Sequence, residues 1–133
     1  MGGGNLSCSL KEKCAKWGIS DKVSFLGVRT DVSELMMAMD VFLMPSLYEG
    51  MPVVIVEAQA TGLPCIISDY VPAPNLTGEV RVVQLSDDNK KWVDALLRVR
   101  DFKREDATAL IIEGQYDIAH EARKLQYFYI QNA

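Results

Sequence analysis

The sequence predicts an α/β fold: an incomplete, Rossmann-like, doubly wound parallel sheet of about four strands with flanking helices. Three observations lead there. Short apolar runs alternate with helical patterns along the chain. Residues 41–44 and 64–68 are almost wholly apolar, as suits parallel strands covered on both faces. A helix-length segment closed by Gly62 separates those two runs, which makes a βαβ unit.

The elements follow in order. Met1–Gly4 is a glycine run, and Asn5 can cap a helix reaching Trp17, with Leu6, Leu10, Cys14 and Trp17 near one face. Gly18 stands where a helix stops. Residues 23–26 (VSFL) read as a buried strand, and 27–30 as a loop. Asp31 starts a second helix, with Glu34 completing a capping-box pattern. Residues 41–44 form the next strand.

Residues 53–56 are four β-branched residues in a row, which favours strand. Pro52 suits a first helical turn, however, and Glu57-Ala58-Gln59-Ala60 is strong helix-forming material. A helix over 52–61 is therefore expected, with its branched residues buried. Strands at 64–68 and 79–85 follow, joined by a loop holding Pro72 and Pro74. Ser86 or Asp87 opens a helix carrying Trp92, Val93, Leu96, Leu97 and Val99. Two further helices are expected at 104–113 and 116–132.

The 133 residues suggest one domain, 1–133, large enough to bury a core. A composition 49% hydrophobic and 24% charged is that of an ordinary globular protein. The net charge of −4 argues against nucleic acid as a partner. No apolar run approaches bilayer length, and the first ten residues lack the pattern of a secretory signal. Cys8, Cys14 and Cys65 have no metal-ligand spacing; Cys65 reads as a small core residue and the chain as reduced and cytoplasmic. His120, in an amphipathic C-terminal helix, reads as structural or surface.

The chemistry concentrates between Asp40 and Asp69. Glu49 stands ahead of the helix start and Glu57 on its flank. Gly50 permits close backbone approach, and Met51, Val53 and Val54 can offer N–H groups at a helix N-terminus, a natural phosphate cradle. An ordinary strand-to-helix turn has the same composition. Glu57 shares a helix face with Val53 and Val54 and needs a polar partner there. A ribose diol would serve; so would a Lys, an Arg or water. Residues 2–5 could form a second glycine loop, and Arg29 could meet a base or phosphate or be solvated.

Two patterns now stand out: FLG-x-R-x-DV over 25–32, then D-x-F-x-x-PS-x-x-EG-x-P-x-x-x-x-EA-x-A-x-G-x-P-x-I-x-SD over 40–69. Together they resemble the retaining glycosyltransferases of family 4, and the segment 68–97 resembles capsular or exopolysaccharide members. The resemblance implies the C-terminal, nucleotide-sugar-binding domain of a GT-B fold. It makes Glu49 the first acid of a Glu-x-x-x-x-x-x-x-Glu motif, close to the transferred sugar. Glu57 is the second, on the donor ribose. Gly50, Met51, Pro52, Val53 and Val54, with Ser46 of the preceding turn, line sugar and diphosphate, and Val28 and Arg29 lie beside the base. The implied donor is a UDP-, GDP- or ADP-sugar, the acceptor a polysaccharide or glycolipid, with no metal and no other cofactor.

The family's donor domain opens with a strand bearing an Arg and a Lys that grip the diphosphate, and an acceptor domain precedes it. Neither pattern is found in these 133 residues. The expectation is a partial domain, inactive alone, and peripheral to the inner membrane in the full-length enzyme. An exposed sheet edge would invite homo-oligomers. The alternatives are a non-catalytic partner-binding module, half of a split enzyme, or an unrelated Rossmann-like binder.

Overall fold

The computed structural model describes residues 6–132, so the expected glycine loop and the Asn5 cap lie outside the described residues. The chain divides into two compact units, one ending at Val32 and one beginning at Ser33.

The first unit contains helix α1 (Ser7–Lys16), then Gly18 at φ +67° and a 3-10 turn at Ser20–Lys22. Gly18 ends the helix as expected, because the left-handed region costs glycine nothing. Of the four residues expected near one face, Cys14 is buried, and Leu6, Leu10 and Trp17 are exposed. Lys11 lies over the Phe25 ring, 5.6 Å from its centroid. The expected VSFL strand is not formed. Residues 23–27 join no ladder among the described residues, and Val23, Phe25 and Leu26 are partly exposed. A run rich in β-formers becomes a strand only beside a partner that takes its N–H and C=O groups.

The second unit begins within α2 (Val32–Met37) and holds a three-stranded parallel sheet. Its strands are β1 (Phe42–Met44), β2 (Cys65–Ser68) and β3 (Val80–Val83), in the order β1-β2-β3. Phe42 pairs with Cys65 and Met44 with Ile67; Cys65 pairs with Val80 and Ser68 with Val83. Three of the four expected strands are thus observed, the missing one being VSFL. Helix α3 (Val53–Ala60) joins β1 to β2. Helix α4 (Asn89–Arg98) follows β3, and α5 (Thr108–Glu113) and α6 (Ile118–Gln131) complete the chain. The last two start later than their periodicity suggests, at Thr108 and Ile118. Among the described residues no helix is long and apolar enough to cross a membrane.

The core follows the pattern read from the sequence. All four residues of β2 are buried, so both sheet faces are covered. Ile66 and Val83 pack with Val99 against Trp92, Ala95 and Leu96 of α4. Strand alternation turns Cys65 and Ile67 the other way, toward the side left to α3, the crossover helix in contact with β2. Cys65 is fully buried, and burial pushes its thiol up to about 12. The side chain of Asp88 caps α4 through the Lys91 N–H (3.2 Å), and Asp117 caps α6 through the His120 N–H (2.8 Å). The His120 ring also meets Asp117, at 2.5 Å from Nδ1, the structural role expected of it.

Two polar side chains fix α3 in place. Gln59 is wholly buried, and its amide meets four backbone groups. Nε2 donates to Ile55 O (3.3 Å) and Pro74 O (2.9 Å); Oε1 accepts from the N–H groups of Leu76 (2.7 Å) and Thr77 (3.3 Å). The connection from β2 to β3, which contains no helix, is thereby fastened to α3. Arg104 Nη1 donates to Met36 O (3.0 Å), Met37 O (3.2 Å) and Thr61 O (3.5 Å), joining the C-terminal ends of α2 and α3. Beyond Thr61 the chain turns at Gly62, φ +68°, where an added Cβ would lie 2.6 Å from Glu105 O.

Replacing Gln59 by Leu, close in volume, leaves the Leu76 and Thr77 N–H groups without their acceptor. Urea unfolding should show a loss of about 2–4 kcal/mol. Gly62→Ala meets both a strained φ and a backbone oxygen, and should cost about 3 kcal/mol in the same measurement.

Candidate functional site

The C-terminal ends of parallel strands are where α/β proteins bind ligands. At that end of β1 the chain enters the loop 45–51, which delivers Glu49 and then α3. Pro52 is the residue before the helix, with φ −78° and ψ 96°, and no side chain caps the helix start. The Ile55 N–H already reaches Pro52 O (3.0 Å), so Val53 and Val54 carry the uncapped amides. Their N–H groups and the helix dipole favour negative charge.

Gly50 is exposed, and a Cβ built on it would meet nothing within 4 Å. Its φ lies outside the left-handed region as well. Neither the backbone conformation nor crowding by the chain calls for glycine at this position. The space over Gly50 is open to a ligand.

Helical geometry sorts the branched residues of α3. Ile55, Val56, Ala58 and Gln59 face inward. Val53 is 61% exposed and Val54 half-buried, so the expectation that the whole branched run is buried is corrected. At 100° per residue, four consecutive positions cannot share one narrow face. Glu57 does lie on Val53's side, and that side is exposed to solvent.

Glu49 is half-buried and Glu57 exposed, and neither forms an ion pair among the described residues. Many of the chain's aspartates are differently placed. Asp31, Asp87, Asp88, Asp106 and Asp117 each accept from a cation, a hydroxyl, a backbone N–H or an imidazole.

Ser46, Glu49, Gly50, Met51, Pro52, Val53, Val54 and Glu57 thus occupy one loop and the helix that it starts, with Met51 exposed and Pro52 buried. Val28 and Arg29 belong to the first unit. There Val28 is 83% exposed, and the Arg29 guanidinium donates through Nε to Asp31 Oδ1 (2.7 Å) and through Nη2 to Oδ2. Asp31 stands immediately before α2, where the sequence starts that helix, and its carboxylate takes both hydrogen bonds from Arg29. The hydrogen bonds from Arg29 hold the Asp31 carboxyl below its usual 3.8 and raise the guanidinium in turn.

Residues 1–101 match the family described as "Glycosyl transferases group 1". The chain belongs to that family. It is 38% identical over 126 residues to EpsF of Bacillus subtilis (strain 168), named as a glycosyltransferase; the match covers 88% of this chain and 33% of that protein. It is 33% identical to the UDP-Gal:alpha-D-GlcNAc-diphosphoundecaprenol alpha-1,3-galactosyltransferase of Escherichia coli, over 98% of this chain and 35% of that protein. The chain spans about a third of the length of these curated relatives. Among solved structures it resembles WaaG, a glycosyltransferase involved in lipopolysaccharide biosynthesis, with TM-score 0.65 and 25% identity over 74% of this chain and 27% of that one. The galactosyltransferase WaaB in its apo form gives TM-score 0.71 at 20% identity, over 98% of this chain and 39% of that one, a likeness of fold. The α/β, GT-B class expected from the sequence is borne out.

This glycosyl transferase chain also holds two buried polar residues whose hydrogen bonds its motifs do not announce. Ser68 and Gln59 are buried polar residues within apolar runs, and such residues act through hydrogen bonds that periodicity does not encode.

The Arg29–Asp31 pair yields a pH test. A depressed carboxyl contributes stability above its unfolded value, and that contribution is lost as pH falls through the folded value. Followed by carbon-detected NMR, Asp31 should titrate below 3.8 in the natural chain and return close to 3.8 in Arg29→Gln.

Proposed function

We propose that this chain is the donor-binding part of a retaining glycosyltransferase that moves a sugar from a nucleotide-sugar to a polysaccharide or glycolipid acceptor. The observation that carries the reading is the conjunction at α3: an uncapped helix start, open space over Gly50, and two acids without ion-pair partners among the described residues. Family membership supports the same reading.

In this reading the amides of Gly50, Met51, Val53 and Val54 receive the diphosphate, with Ser46 and Pro52 shaping the wall around it. Charge builds on the diphosphate as the glycosidic bond breaks, and fixed N–H dipoles stabilise it without reorganising. Glu49 stands at the transferred sugar and Glu57 accepts from the ribose hydroxyls. The reading calls on no metal. It assigns the acceptor surface to sequence beyond these 133 residues, and it expects no transfer by this chain alone. Half of a split enzyme is the second reading. It is favoured by α6, where Leu125, Tyr127, Phe128 and Tyr129 are all exposed.

Thermal unfolding with UDP, GDP and ADP at millimolar concentration tests the donor site. One nucleotide should raise the midpoint, by the equivalent of about 2.7 kcal/mol at a hundredfold over its Kd. Gly50→Ala should fold as stably as the natural chain yet lose that shift, since the added methyl meets only the ligand. Glu57→Ala should lose it too. A natural chain unmoved by every nucleotide, or a Glu57→Ala variant that responds like the natural chain, would overturn the reading.

A further inference from the structure

At the C-terminal end of β2, Ser68 and Asp69 reach in opposite directions. Ser68 is wholly buried, and its hydroxyl donates to Ser46 O, at 2.5 Å, across to the segment leaving β1. Asp69 Oδ1 accepts from the Leu85 N–H (2.9 Å), just past the end of β3. The backbone adds Asp69 N–H to Val83 O (3.2 Å) and Val71 N–H to Ser68 O (3.1 Å). The central strand therefore grips both neighbours where the sheet ends, one side chain to each.

We infer that Ser68 is a positioning residue for the donor loop: its hydrogen bond to the Ser46 carbonyl holds the loop that carries Glu49 and Gly50. The inference rests on the donor-site reading for its functional part only. Only Leu47 and Tyr48 separate Ser46 from Glu49. The β1 ladder ends at Met44, two residues before Ser46. Past that point the Ser68 bond is the side-chain tie that the loop receives from the strand beside it. The amides of a loop so held are pre-ordered for a ligand, and a ligand that need not order its own site binds more tightly.

The comparison is Ser68→Ala against Asp69→Ala, two cuts at adjacent residues of one strand end. Backbone nitrogen-15 relaxation is measured first, without ligand. Ser68→Ala should lower the order parameters of residues 47–51 from about 0.85, a rigid backbone, toward about 0.6 or less. Asp69→Ala should leave those values as they are and lower the value at Leu85. Ser68→Thr, which keeps the hydroxyl, should restore the natural values in the loop. If Ser68→Ala does not fold, Ser68→Cys, similar in size and a weaker donor, is read in its place.

Calorimetry then reads affinity for the nucleotide found by the thermal panel. The expected loss is about three- to tenfold in Ser68→Ala, with none in Asp69→Ala. Unchanged loop order parameters in Ser68→Ala overturn the inference, as does an equal drop in both variants, which would reflect general loosening. Natural affinity in Ser68→Ala overturns its functional half. Should the loop order parameters respond as expected while the natural chain binds no nucleotide, the donor reading fails and the positioning of the loop stands.

Discussion

The second unit turns on one buried amide. Gln59 sits midway between the two parallel pairings, on the helix that joins β1 to β2, and it binds the connection that joins β2 to β3. Parallel strands need a crossover, and the usual crossover is a helix that packs through its own apolar stripe. Residues 69–79 have no helix with which to do that. Their carbonyl and N–H groups must still be satisfied against the protein, and one glutamine satisfies several of them from inside α3. An apolar residue there would fill the volume and leave the backbone unpaired. The buried polar group is therefore part of the topology.

With Gln59 in its last turn and Arg104 at its end, α3 is held at its C-terminal half. Arg104 also sets a cation against the C-terminal carbonyls of two helices, where the dipoles favour positive charge. The N-terminus is treated differently, with no side chain turned back onto its amides. Asp88 and Asp117 cap their helices at positions where α3 offers Pro52. The chain belongs to a glycosyl transferase family, and α3, which like α1 and α5 starts without a side-chain cap, is the helix that follows the acid-glycine-x-proline loop.

Much of this was legible in the sequence where the hydrophobic pattern and its punctuation agreed. The continuous apolar runs gave β1 and β2, and Gly18 and Gly62 marked the helix ends at positive φ. Residues 53–56 were legible as helix only because Pro52 and the following Glu-Ala-Gln-Ala outweighed local β-propensity. The pattern failed at VSFL, because strand formation depends on a partner elsewhere in space. It failed more mildly at Val53, where residue type suggested burial and helical rotation decided otherwise. Glu49 and Glu57 could be singled out by their motif. Ser68 stands in the same motif, but what it does there, like what Gln59 and Arg104 do, depends on carbonyls and amides brought close only by folding.

Cys65 carries a further consequence. Its side chain is enclosed beneath α3 in the central strand, and burial alone raises the thiol to about 12. At neutral pH the reactive thiolate is then present at only about one part in 10⁵. Oxidants and electrophiles act mainly on thiolate, so enclosure and the raised thiol both lower the reactivity of the residue at the heart of the sheet. The sulfur serves as volume in the central strand.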